Sequence, residues 1–173
     1  MKENINVMNL KGSPIILLGE MAADGSAAPD FTVTDVHGKD VKLSDFKGKM
    51  VVISVFPSIN TPVCAMQTRR FNKEAVSLDK NVVILGISRD KPEDMKNFCA
   101  AEGINNVVVL SDRKYGDFGP KYGFAIKGKD ILGRGVVIVD TNGKIIYSEY
   151  VSEITNEPDY QKALKKLAEY MRM

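Results

Sequence analysis

M-V-V-I-S-V-F-P-S-I-N-T-P-V-C runs from Met50 to Cys64. Apart from Ser54, its first seven residues are apolar, the pattern of a strand covered on both faces. V-V-I-L-G-I-S, residues 82–88, repeats that pattern. Between the two runs, Pro62 to Leu78 places Cys64, Phe71, Ala75 and Leu78 on one helical stripe. Two doubly buried strands joined by a helix read as a parallel pair with a right-handed crossover.

Working outward, a second helix opens at Pro92, turns Met95, Phe98 and Cys99 inward and stops at Gly103. V-V-V-L, 107–110, is a further short strand. Six glycines from Gly116 to Gly135 discourage any long helix there. G-V-V-I-V (135–139) and K-I-I-Y-S-E-Y (144–150) flank Asn142-Gly143, which supplies the positive φ of a tight hairpin. A final helix carries Tyr160, Leu164, Leu167 and Met171 on one face. Toward the N-terminus, residues 3–20 form a short hairpin turning at Lys11-Gly12-Ser13. F-T-V-T-D-V, 31–36, alternates like a half-exposed strand that turns at His37-Gly38.

From residue 49 the order is β-α-β, a helix, then β-β-α. That is the α/β order of the thioredoxin fold, with an N-terminal β-hairpin extension over 1–20 and an insertion before the final β-hairpin. The length of 173 residues fits one domain, 1–173.

Composition narrows the function classes. Hydrophobic residues at 44% and charged residues at 27% describe a soluble globular chain, not a disordered one. Lys plus Arg is 24 and Asp plus Glu 22, a net charge of +2, and no basic block offers a footprint for nucleic acid or an anionic membrane. No run approaches the ~18 apolar residues of a membrane span. The apolar segment Ile15–Leu18, fenced by Pro14 and Gly19, is too short for a secretion signal, which needs roughly seven or more. A cytoplasmic location is expected.

With two cysteines and one histidine at 64, 99 and 37, no zinc spacing is present, nor any C-x-x-C. Thr61 suits a helix N-cap and Pro62 the first helical position, so Cys64 falls at the third. A capping box would place Glu or Gln there. Orphan amides and the positive end of the helix dipole favour a thiolate at that point, and the thiolate is the nucleophile. Cys99, in the last turn of its helix, meets the opposite end of a dipole. Cys64 is therefore the candidate attacking group and Cys99 the waiting one. Two bland readings stand beside this: both cysteines as inert core residues, or a structural disulfide, which a cytoplasmic chain neither needs nor keeps.

His37 reads as a solvated turn residue. G-F-A-I-K-G-K-D (123–130) nearly matches a phosphate loop, but Asp130 replaces the Ser or Thr that holds magnesium. Arg134, between two glycines and just before the 135–139 strand, is either a surface arginine or a fixed cation beside the thiolate.

The segment P-S-I-N-T-P-V-C contains P-x-x-x-T-x-x-C, with Pro57, Thr61 and Cys64 in place, and resembles the peroxiredoxin signature. The longer stretches P-S-I-N-T-P-V-C-A-M-Q-T-R-R-F-N, N-F-C-A-A-E-G-I-N-N-V-V-V-L-S-D and F-G-P-K-Y-G resemble the thiol peroxidase subfamily, the atypical two-cysteine type. That resemblance covers essentially the whole chain. It implies that Cys64 is the peroxidatic cysteine and Cys99 the resolving one. It further implies that Thr61 hydrogen-bonds thiolate and peroxide, that Pro57 shields the pocket, and that Arg134 is the motif arginine. Branches with a resolving cysteine five residues after the first would need it at Arg69; those with one in the C-terminal tail would need it after Tyr150. Two positions depart from the family pattern: Asn60 stands where Asp is usual, and Gly135 follows Arg134 where a residue with a side chain is common.

The activity so implied is thiol-dependent peroxide reduction in antioxidant defence. Hydrogen peroxide or an organic hydroperoxide oxidises Cys64 to a sulfenic acid. A Cys64–Cys99 disulfide follows and thioredoxin restores it by exchange. No metal or organic cofactor is called for, and a homodimer is expected. The alternatives are a thiol-disulfide oxidoreductase or a redox-sensing module on the same fold. A disulfide needs Cα atoms within about 7 Å. The first turn from Thr61 and part of the 92–102 helix are therefore expected to unwind locally.

Overall fold

The strand expected at Met50–Val55 is buried at every position and sits inside a seven-stranded sheet, in a computed structural model that describes residues 1–171. In chain order the elements begin with β1 (Glu3–Leu10) and β2 (Ser13–Leu18), followed by β3 (Thr32–Thr34), β4 (Asp40–Lys42) and β5 (Met50–Val55). Then come α1 (Pro62–Ala75), β6 (Val82–Ser88), α2 (Pro92–Glu102), β7 (Val108–Ser111) and α3 (Phe118–Tyr122). The chain continues through β8 (Ala125–Ile126), β9 (Gly135–Val139), β10 (Ile145–Tyr150) and α4 (Tyr160–Met171).

The large sheet has the order β10-β9-β5-β6-β7-β3-β4. β5, β6 and β7 are parallel, with Ile53 opposite Leu85 and Gly86 opposite Val109, and β9 is antiparallel to β5. The two parallel connections run through α1 and α2, and the first parallel strand ends at the loop that carries Cys64, the edge where sites form in such sheets. Apolar side chains alternate between two cores. Val51, Ile53 and Leu85 face α3, where Phe31 meets Phe118 edge-on at 5.0 Å. Val52, Ile84 and Ile138 face Phe71 of α1, Met95 of α2 and Leu167 of α4.

Several boundaries differ from the sequence reading. α1 stops at Ala75 rather than Leu78, because Val76, Ser77 and Leu78 donate to carbonyls three residues back and tighten the last turn. In α4 the inward stripe is Tyr160, Ala163 and Leu167, while Met171 is exposed. Of F-T-V-T-D-V only Thr32–Thr34 forms a strand, and it is not half-exposed. Thr34 is buried like Val33 because β3 lies between β7 and β4 in the sheet, a partner that three residues carry too little periodicity to reveal. His37 lies exposed in the β3–β4 turn, where its amide donates to Asp35.

The N-terminal hairpin forms a second sheet, β1-β2-β8. Its tip is tied to the loop after β10. The Asn9 amide donates to the Ser152 carbonyl at 2.7 Å, and the Ile154 amide donates to the Asn9 carbonyl at 2.9 Å. Gly12 N–H reaches the Glu153 carboxylate at 2.9 Å. This lays Leu10 and Ile15 on the same cavity as Pro57 and Thr61, between the end of β5 and the start of α1. No helix among the described residues is long and apolar enough to cross a membrane.

Candidate active site

Cys64 occupies the third position of α1, as the Thr61-Pro62 spacing predicts, and is fully buried against Phe56, Ile59 and Phe98. Two donors converge on its sulfur. The Ser58 amide lies 3.4 Å away and Arg134 Nη2 lies 3.3 Å away. Arg134 is only 3% exposed, so its guanidinium is held inside the protein. Its Nη1 donates to Gln67 Oε1 at 2.9 Å and its Nε to the Ile154 carbonyl at 2.6 Å. Among the described residues its partners are thus two neutral oxygens and the sulfur. A buried cation without a carboxylate is costly unless something nearby carries negative charge. The sulfur is the third group that this cation meets.

Gln67 fixes this geometry and was not singled out in the sequence. It is fully buried one turn after Cys64, and its Nε2 donates to Ser54 Oγ at 2.8 Å and to the Val55 carbonyl at 3.1 Å. With its amide donors turned to β5, its oxygen faces Arg134. A lone amide on the apolar stripe of Cys64 and Phe71 was the available signal, because an unpaired buried amide is rarely tolerated.

Gly135 has a steric cause. A Cβ there would lie 2.0 Å from the Glu149 carbonyl and 2.8 Å from the Phe124 ring. Only glycine lets β9 pair with both β5 and β10 at that level, with Val55 and Tyr150 as its partners. Arg134, directly before it, then projects from a fixed strand end toward Cys64.

Thr61 differs from the sequence expectation. Its backbone is the N-cap of α1, but the side chain makes no cap bond. Its hydroxyl donates to the Ser58 carbonyl at 3.0 Å instead of touching the sulfur. The carbonyl three residues back competes with the helix amides for the hydroxyl, as Ser and Thr commonly allow. Pro57 is buried two residues beyond the end of β5. Pro57, Thr61 and Arg134 share one cavity of ≈ 470 Å³ whose other walls include Leu10, Ile15 and Ile126. The hairpin extension therefore forms part of the site.

Cys99 is half-buried in the last turn of α2, against the core cluster of Phe71 and Met95. Burial pushes its thiol up from the ordinary value. Both cysteines are free. Cys99 lies seven residues beyond Pro92, about 10 Å along the helix from its start. The structure thus gathers Cys64, Pro57, Thr61 and Arg134 at one strand end and leaves Cys99 toward the far end of a neighbouring helix. Residues 123–130 form the end of α3, β8 and an exposed turn, with no strand-to-helix loop that could cradle phosphate.

Residues 23–164 match the Redoxin family. The chain is 51% identical over 160 residues to a thiol peroxidase of Oceanobacillus iheyensis, covering 92% of this chain and 97% of that one. It is 45% identical over 158 residues to a thiol peroxidase of Bacillus subtilis, covering 91% and 94%. Among solved structures, a peroxiredoxin-like protein from Aquifex aeolicus superposes with a TM-score of 0.90 at 35% identity, over 98% and 99% of the two chains. A thiol peroxidase from Chromobacterium violaceum, at 19% identity and a TM-score of 0.85, shares the fold over 95% and 97%.

Proposed function

The chain belongs to the Redoxin family, and from that premise we propose that Cys64 is the nucleophile of thiol-dependent peroxide reduction, with Cys99 resolving it. The observation that carries the reading is the buried Arg134 guanidinium held 3.3 Å from the Cys64 sulfur without a carboxylate partner. Such a cation stabilises the thiolate that attacks and the charge that develops on the leaving oxygen.

The Cys64 thiolate takes the terminal oxygen of the peroxide with its hydrogen. An S–O bond forms, the O–O bond breaks, and the alkoxide or hydroxide that leaves is protonated to an alcohol or water. The resulting sulfenic acid condenses with the Cys99 thiol, forming S–S and releasing water. A thioredoxin-type dithiol then returns both thiols by exchange. A guanidinium has five N–H donors. Among the described residues three are engaged, leaving two to meet peroxide oxygens. The Thr61 hydroxyl, on the same cavity wall, turns from the Ser58 carbonyl to the bound peroxide, and Pro57 keeps water from the sulfur. For Cys64 to reach Cys99, the first turn of α1 and the last turns of α2 unwind.

We also take residues 1–173 as one domain, working as a homodimer in the cytoplasm, where dithiol reductants keep such cysteines reduced. The decisive experiment is peroxide consumption with a thioredoxin system by wild type, Cys64→Ser and Cys99→Ser. Loss of activity in the first, and a single stoichiometric turnover in the second, are expected. Activity retained by Cys64→Ser overturns the assignment.

A further inference from the structure

Outside the residues assigned so far, one carboxylate grips the loop that carries Cys64. Asp90 follows the end of β6, two residues before Pro92 opens α2. Its Oδ1 accepts the Ser58 hydroxyl at 2.9 Å, and its Oδ2 accepts the Ile59 amide at 2.8 Å. Ser88 Oγ also donates to Oδ2, and Ser111 Oγ donates to the Asp90 carbonyl. The Asp112 amide donates to the Ser88 carbonyl at 2.7 Å. Asp90 is thus fastened to the ends of β6 and β7, two central parallel strands of the large sheet. From there its carboxylate holds two consecutive residues of the 57–61 loop.

Both held residues touch the chemistry. Ser58 provides the amide 3.4 Å from the Cys64 sulfur. Ile59 is buried in the small cluster with Phe56 and Cys64, against which Phe98 packs, and Phe98 immediately precedes Cys99. One side chain therefore stands between the geometry that reacts with peroxide and the movement that joins the two sulfurs.

We propose that Asp90 is a positioning residue that holds the Cys64 loop in its peroxide-reactive form and must release Ser58 and Ile59 before Cys64 can meet Cys99. The inference rests on the reading in which Cys64 attacks and Cys99 resolves. With the grip closed, the Ser58 N–H is aimed at the sulfur and Ile59 fills the space beneath Phe98. With it open, the loop loses its anchor on the sheet. Phe98 then loses one of the two clusters it packs on, so the helix holding Cys99 loosens with the loop. The same contact favours the first chemical step and opposes the second. A carboxylate that merely satisfied strand-end donors would have no such opposite effects on the two rates.

The test uses the full-length protein and follows sulfenic acid formation and disulfide closure as separate phases after a peroxide pulse. Hydrogen exchange is read on the reduced form over 57–66 and 92–102. Asp90→Asn keeps the shape but cannot accept from both Ser58 and Ile59. It is expected to slow sulfenic acid formation about tenfold, the worth of one hydrogen bond to a charged group. Disulfide closure is expected to accelerate by a similar factor, with exchange rising in both segments together. Ser58→Ala, which removes the Oδ1 contact and the long bond from the Asn60 amide to Ser58 Oγ but keeps the Ile59 contact, moves both rates in the same directions by less, and it decides the matter if Asp90→Asn does not fold. Rates that fall together, rates that stay unchanged, or exchange that rises in 57–66 alone overturn the proposal. Wild-type rates in Asp90→Asn defeat this inference only, whereas peroxide turnover by Cys64→Ser defeats the reading beneath it.

Discussion

Arg134 Nη2 lies 3.3 Å from Cys64 Sγ, although the two residues are 70 positions apart in the chain. The contact depends on Gln67 and the Ile154 carbonyl, which use the other edges of the guanidinium. Lysine is a point charge on a flexible stem and cannot fill three directions at once. Arg134→Lys is therefore expected to lower the second-order rate constant for peroxide by roughly 100-fold, the usual loss when a transition-state donor is removed. Stopped-flow kinetics on the folded variant measure it; a rate within twofold of wild type would show that charge alone suffices.

Gln67 is the hinge of this arrangement. Gln67→Leu leaves Arg134 Nη1 buried without its acceptor and removes two donors from β5. Destabilisation of about 1–3 kcal/mol is expected, read as a lower urea midpoint, together with slower reaction with peroxide. If neither quantity moves, the guanidinium is held by other means.

At Gly135 the prediction is steric. Gly135→Ala places a methyl 2.0 Å from the Glu149 carbonyl, so β9 and β10 must separate. A loss of about 2 kcal/mol or more is expected by thermal denaturation. A change no larger than an ordinary surface substitution, about 0.5 kcal/mol, contradicts the clash.

Glu153 links pH to the hairpin over the site. The Gly12 amide, then the hydroxyl and amide of Thr155, hold its carboxyl down at about 2. The ordinary carboxyl value, near 4.3, lies above that. Its stabilising contribution is thus complete above the ordinary value and fades as pH falls from there through about 2. Compared by melting across pH, Glu153→Gln should be less stable than wild type at neutral pH and equal to it near the acid end. A difference that stays constant across this range rules the linkage out.

For Cys99, burial pushes the thiol up. In Cys64→Ser, iodoacetamide should modify Cys99 slowly at neutral pH, with the rate still climbing above about 8.5, the ordinary thiol range. A plateau below that, seen by mass spectrometry, contradicts the assignment of Cys99 as a protonated, waiting thiol.

The covered strands and the helix start that the chain announces locally are found where it puts them. Met50–Val55 and Val82–Ser88 read as doubly covered strands because burial on both faces leaves no polar alternation. Thr61-Pro62-Cys64 reads as a helix start because the missing proline N–H and the cap backbone are local properties. The family signature rests on the same short stretch. Other features depended on competition in space. The Thr61 hydroxyl chose the Ser58 carbonyl over the helix amides, α1 tightened at Ala75, and Ala163 took the inward place given to Leu164. The departure at Gly135 made sense only once Glu149 and Phe124 were seen against it.

The sequence by itself determined which atoms can react: a thiol at a helix start, a second thiol at a helix end, and an arginine between glycines. Only the tertiary structure decided that Arg134 and Ser58 meet the first thiol, with Gln67 holding the one and Asp90 the other. Their hydrogen bonds join strand ends and loops distant in the chain, and side chains that meet across a sheet edge leave no periodicity along the sequence for a reader to find.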